Sequence, residues 1–279
     1  MPDGQALPKN LDKAQRPEQS EVMNKQLDFV KKRTDAPPRF FEAEAAGLAW
    51  LAAAHGATVA SVIDVKPGHL VIAHIAEVEP TADAAHNFGA ALAVTHAAGA
   101  AAFGAPPDGW EGPLYIGNRQ LPVAHEQTWG IFYARDRVLP YLEIAAEVGS
   151  ITEQGAQTVR DACALIAAGH FDDDEPPARL HGDLWNGNVL WSVDGVVLID
   201  PAAHGGHRET DLAMLALFGC PHLNGILAGY ESVLPLRPLW RERIPLHQLH
   251  PLAVHAAGHG PSYGFALAEA AEKVLATAD

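Results

Sequence analysis

The stretch His181-Gly182-Asp183-Leu184-Trp185-Asn186-Gly187-Asn188 runs directly into two short apolar segments, Val189–Ser192 and Val196–Ile199, and then into Asp200. Between those segments lies Asp194-Gly195, a strong two-residue hairpin signal. A polar loop therefore feeds a hairpin whose second strand ends on an acid. Taken singly, Asp183 reads as a turn residue, Asn188 as a strand-entry residue and Asp200 as a strand-end cap. Taken jointly, the spacing gathers three oxygen-bearing side chains around one hairpin, which argues for a chemical site.

That spacing matches the catalytic loop of kinases, H-R-D-L-x-x-x-N, followed by a strand and a metal-binding Asp. Phosphoryl transfer asks for in-line positioning and charge neutralisation, with little covalent work from the protein. In such a site Asp183 accepts the proton of the attacking hydroxyl. Asn188 and Asp200 offer the oxygen ligands that a hard cation such as magnesium prefers.

Upstream of the loop the chain changes character once. Residues Met1–Asp28 are polar and poor in aromatics, with Val22, Met23, Leu27 and Val30 at helix-like spacing. Phe29-Val30-Lys31 reads as a short strand, Pro37-Pro38 closes it, and Phe40–Ala54 reads as a helix. Thr58–Val65 and His69–Ile75 read as strands joined by a Lys66-Pro67-Gly68 turn. Beyond Glu77, helical patterns cover Asp83–Gly99, Tyr133–Val148 and Thr152–Ala168, and Glu209–Asp279 is again helical. Gly99–Pro122 reads as a Gly/Pro-rich loop. Strands first and helices afterwards predict an α+β fold of two lobes rather than an alternating parallel sheet. The divisions expected are 1–28 as an atypical polar segment, 29–76 as a β-rich N-lobe and 77–279 as a helical C-lobe.

Composition narrows the function further. The 279 residues include 48% hydrophobic and 19% charged, as in a globular protein. Net charge is −15, which disfavours a nucleic-acid partner. The same field repels free ATP, so specific lysines and magnesium must offset it locally. No apolar run reaches the roughly 18–20 residues of a membrane span. Two cysteines, Cys163 and Cys220, form no disulfide framework, and the N-terminus lacks a signal-peptide pattern; a cytoplasmic location is the expectation. Among 15 histidines, the pairs His204/His207, His247/His250 and His255/His259 have ligand-like spacing. None forms H-E-x-x-H, and catalytic zinc is not expected.

His181–Asn188 is similar to the signature of the fructosamine kinases, a branch near the aminoglycoside and choline phosphotransferases. The resemblance continues through Ile199–Leu215, Ala105–Leu114 and Pro245–Leu252. It implies a protein-kinase-like fold, ATP, magnesium, and phosphorylation of a sugar hydroxyl on a ketosamine, a small-molecule substrate. It also implies residue roles. Trp185 would stack on the sugar; the alternative is a packed core aromatic. Lys31 would pin the α/β-phosphates with Glu44 as its ion partner, although Lys31-Lys32-Arg33 also reads as a solvated cluster and Glu42 competes. The backbone of Ala73-His74-Ile75 would read adenine. Asp211 would buttress the catalytic loop. In the resembling family a glycine-containing hairpin precedes the phosphate lysine, whereas Met1–Asp28 carries only Gly4. The N-lobe is therefore expected to be incomplete, and a pseudokinase-like binding module stands as an alternative, as does an aminoglycoside- or choline-type kinase.

Overall fold

The computed structural model describes residues 28–277. The expected departure of Met1–Asp28 falls, but for its last residue, outside the described residues. The N-lobe begins with β1 (Phe29–Lys32), whose side chains alternate so that Lys31 alone turns partly inward. A helix, α1 (Phe40–Ala52), separates β1 from β2 (Val62–Lys66) and β3 (His69–Ile72). The sheet order is β1-β3-β2, antiparallel throughout, with Lys31 opposite Leu70. Phe41 and Leu48 of α1 pack on Leu70 and Ile72 to close a small core.

The expected strand Thr58–Val65 is only half realised. Its first residues leave the sheet and pair with the hairpin β7 (Val189–Ser192) and β8 (Gly195–Leu198). Ala60 N–H donates to Leu198 O and Leu198 N–H to Thr58 O, both at 2.9 Å. Backbone groups thus join the two lobes directly, and satisfying them this way is the reason the sheet strand starts late.

In the C-lobe, Thr81 caps α2 (Ala82–Ala97) by accepting from Ala84 N–H, and Thr152 caps α5 (Glu153–Ala167) in the same way. The expected helix at Tyr133–Val148 opens earlier, as α3 (Trp129–Phe132), passes through a widened π turn at Tyr133–Val138, and continues as α4 (Leu139–Glu147). The remaining helices are α6 (Glu209–Phe218), α7 (Leu223–Val233), α8 (Ile244–His259) and α9 (Pro261–Ala276). Helices α2 and α7 approach closely because glycines face the partner's backbone. A Cβ at Gly89 would collide with the Ile226 carbonyl, and one at Gly229 with that of His86. One core gathers Phe132, Tyr141, Val159, Leu249 and Leu267; a second packs Phe88, Leu92, Trp191 and Tyr230 around the β7–β8 hairpin. Among the described residues no helix is long and apolar enough to cross a membrane.

The segment Gly99–Pro122, expected as loop, contains a hairpin: β4 (Leu114–Ile116) and β5 (Arg119–Leu121), turning at Gly117 with φ 53°. It bridges the lobes. On the C-lobe side, Tyr141 O–H donates to Gln120 O at 3.0 Å and Arg119 donates to Ala257 O. On the N-lobe side, Tyr115 O–H donates to Pro38 O at 2.9 Å and Arg33 donates to Asn118 Oδ1 at 2.6 Å. A second unexpected pairing joins β6 (Ala178–Leu180) to β9 (His204–Gly206) and brackets the catalytic loop. Arg137, in the π turn and almost fully buried, donates to Pro122 O and to His204 Nε2 and so fixes the end of the strap hairpin against β9.

Candidate active site

Everything in the His181–Asn188 loop depends on how its backbone is held. Asp211, buried on α6, accepts from the N–H groups of His181 (2.8 Å) and Gly182 (3.0 Å). Nε2 of His96 lies 3.2 Å from the same carboxylate. Burial alone would raise its pKa, yet His96, His181 and these donors hold it below the usual carboxylate range. The buttress anticipated for Asp211 is therefore a hydrogen-bonded charge under the loop. His181 adds a second tie: its Nε2–H donates to Ile199 O at 2.9 Å, clipping the loop to the residue before Asp200. Gly182 needs its φ of 80°, and a Cβ there would strike Ala202 O.

On this support Asp183 faces a cavity of about 310 Å³ between the lobes. Asn188 Nδ2 donates to the Asp183 carbonyl (2.8 Å) and to its Oδ2 (3.1 Å). Burial pushes the Asp183 carboxyl up to about 7; the Asn188 bond opposes this and the negative charge of Asp200 adds to it. With its Nδ2 engaged, Asn188 presents Oδ1 as its remaining polar atom. Asp200 sits at the end of the β8 run in a left-handed conformation, φ 56°, which aims a strand-end side chain across the cleft.

From the N-lobe, Lys31 pairs with Glu44 at 2.5 Å and with Asp200. Glu44, not Glu42, is thus the partner. Burial raises the Glu44 pKa against the lowering pull of Lys31. Lys31, Glu44, Asp183, Trp185, Asn188 and Asp200 all line the one cavity. Ala73, His74 and Ile75 follow β3 and are not among its lining residues. The Ala73 N–H donates to Ser61 O at 2.9 Å, so that amide is engaged within the N-lobe.

Trp185 is 40% exposed, with its ring edge-on to Phe218 at 6.2 Å. It is a cavity wall rather than a core side chain, and a Cβ at Gly187 would collide with it. Sequence reasoning missed the opposite wall, formed by Phe40, Leu114, Tyr115 and Gly117. The signal was present as the alternation of Leu114, Ile116 and Leu121 about Gly117-Asn118.

Among the described residues one buried group has metal-like composition: His207, Glu209 and His247. Each has a protein partner. His207 Nε2 lies 3.3 Å from Asp173, His247 Nδ1 3.1 Å from Thr210 Oγ1, and Arg243 forms a two-pronged pair with Glu209. The Arg243 cation thus offsets the Glu209 charge within this cluster.

The fructosamine kinase family profile matches residues 16–277. A “probable ketoamine kinase” from Enterococcus faecium is 31% identical over 85% of this chain and 83% of its own length. A solved structure assigned as a fructosamine-3-kinase, from Thermobifida fusca, superposes with a TM-score of 0.83 at 46% identity, covering 89% of this chain and 85% of the other. An aminoglycoside phosphotransferase solved with ADP and hygromycin B, at 13% identity and a TM-score of 0.54 over 85% and 82% of the two chains, shares the protein-kinase-like fold alone. The chain belongs to the fructosamine kinase family.

Proposed function

We propose that the cleft transfers the γ-phosphoryl group of ATP to a sugar hydroxyl of a ketosamine, with Asp183 as the base. The observation that carries this reading is that Lys31, Glu44, Asp183, Asn188 and Asp200, drawn from both lobes, line one cavity. A carboxylate raised to about 7 lies near working pH, where a general base is most effective. Asn188 orients it through the Nδ2 bond. Lys31, steadied by Glu44, carries a positive charge to the point where phosphate oxygens must be neutralised. The free oxygen of Asn188 and the carboxylate of Asp200 are hard donors, without thiolate or imidazole among them, and this set suits magnesium. When bound, the metal would supply charge neutralisation for the triphosphate. Trp185 presents a ring face suited to the C–H face of a sugar.

Lys31, Glu44, Asp183, Asn188 and Asp200 are all present and gathered on one cavity, which favours an active enzyme. The test is ATP consumption with magnesium against glycated amines, free sugars and aminoglycosides. Turnover should be greatest with glycated amines. Turnover confined to aminoglycosides would overturn the acceptor class, and none on any acceptor would favour the binding module.

A further inference from the structure

We propose that Phe40 and Tyr115 form an aromatic corner that recognises the protonated amine of the acceptor, so that the strap hairpin selects cationic substrates. The inference rests on the ketosamine reading for the identity of the acceptor and extends it to the half of the cavity that the nucleotide-side residues do not use. Phe40 opens α1 and Tyr115 lies in β4; their ring centroids are 5.2 Å apart with planes at 54°. Two rings at this angle make an open corner rather than a stack, and both line the cavity with Asp183.

Three features make the corner suited to a cation. First, the Tyr115 hydroxyl is engaged by the Pro38 carbonyl at 2.9 Å. That bond fixes the ring and leaves its π face as the surface offered to a ligand. Second, three carboxylates (Glu44, Asp183 and Asp200) line the cavity against one lysine. In a chain of net charge −15 the local potential favours a positive guest. Third, Phe40 already accepts a cation outside the cavity, where the Arg33 guanidinium sits 5.3 Å from its ring centroid. The corner would present the same kind of contact on the cavity side.

The acceptor chemistry calls for such a contact. A ketosamine differs from the free ketose by an amine next to the ketose carbon, protonated at neutral pH. Sugar and ammonium are adjacent, so a selective site needs two elements. Trp185 meets the ring, and the corner, on the opposite wall of the cavity, meets the ammonium. A neutral sugar satisfies only the first.

The experiment is calorimetric titration of a fructosyl-alkylamine, and of its uncharged N-acetyl counterpart, into the full-length protein with magnesium and ADP. Wild type should bind the amine more tightly than the amide. Tyr115→Leu should weaken the amine by about 5- to 30-fold while leaving the amide and Mg-ADP unchanged. Tyr115→Phe, which keeps the ring and loses the Pro38 anchor, should cost less than Tyr115→Leu. Phe40→Leu tests the second wall independently and should act in the same selective direction. Equal weakening of amine and amide, a wild type that does not distinguish them or binds neither, or a Tyr115→Phe effect as large as that of Tyr115→Leu would each overturn the inference. Turnover of a ketosamine without amine selectivity sinks the corner alone. Selective amine binding without turnover of any ketosamine sinks the kinase reading and leaves the corner standing.

Discussion

Replacing Asp211 by asparagine leaves the side-chain shape almost intact and removes one negative charge from a site that is only 1% exposed. Its Oδ1 accepts from Gly182 N–H, and its Oδ2 accepts from His181 N–H and meets His96. An asparagine supplies one oxygen, so the amide nitrogen must face at least one of these donors. The least costly arrangement points Nδ2 at Gly182 and orphans one buried N–H, a loss of about 1–3 kcal/mol. The surviving bonds become neutral rather than charge-assisted and weaken by roughly half, which adds about 1 kcal/mol. The sum is about 3 kcal/mol, or a melting temperature lower by about 6–12 °C in a protein of this size. Because the orphaned amide belongs to the residue before Asp183, turnover should fall as well, by up to about 100-fold for a misplacement near 1 Å. Differential scanning calorimetry and steady-state kinetics on Asp211→Asn check both numbers. The acid side of the stability curve gives a third reading. The folded Asp211 carboxyl is held low, so its contribution is present above the unfolded carboxylate range and is lost as pH falls through the folded value. Wild type should therefore lose stability more steeply in acid than the variant. A melting temperature within about 2 °C of wild type, with turnover within a few-fold, would refute the view that a charge holds the loop.

Asp183→Asn should lower turnover by about 10²–10⁴ while Mg-ATP still binds, and activity within a few-fold of wild type would count against a base at this position. With Asp183 raised to about 7 and active when deprotonated, kcat/KM should drop towards tenfold per unit below pH 7; a profile flat from pH 5.5 to 8 would contradict it. The same shift has a stability sign: the folded value lies above the unfolded one, so ionising Asp183 costs stability as pH rises between them. Asp183→Asn should accordingly gain stability relative to wild type from pH 4 to pH 7, as thermal melts would register. Asp200→Ala should weaken magnesium-dependent nucleotide binding more than Asp183→Asn does, and unchanged Mg-ATP affinity by calorimetry would exclude that role. Trp185→Ala should raise the acceptor KM with little change in melting temperature, since the ring is 40% exposed; a sharp fall in melting temperature with normal kinetics would make it a packing residue.

The parts of this site that were legible in the sequence are those set by local spacing. Asp183, Asn188 and Asp200 lie on one loop and one hairpin, and the Asp194-Gly195 turn fixes their register. Lys31 and Glu44 came from the family resemblance, with Glu42 left as a competitor by spacing alone, and the Lys31–Glu44 pair decides between the two acids. What stayed hidden depended on partners distant in sequence. The first half of Thr58–Val65 looks like sheet in isolation, but its backbone is claimed by Leu198. The pairing of Ala178–Leu180 with His204–Gly206 involves three residues a side and no turn between them, so periodicity has nothing to report. The strap hairpin was masked differently. Glycine and proline in Gly99–Pro122 outweighed a short alternation whose apolar side, Leu114, Ile116 and Leu121, is buried in the core.

The strap also has a mechanical consequence. The lobes are joined at Leu198 by paired backbone hydrogen bonds, along α1 by the buried bond from Arg179 to Trp50 O, across the cleft by the Lys31–Asp200 pair, and at the hairpin by the side-chain bonds of Tyr115 and Arg33. The bonds at the hairpin are exposed and compete with water, so each holds the lobes by about 1 kcal/mol or less. Under thermal agitation the weaker fastening releases first. The strap is thus the fastening that yields before the Leu198 ladder and the buried Arg179–Trp50 bond, and it lies beside the cavity wall formed by Tyr115.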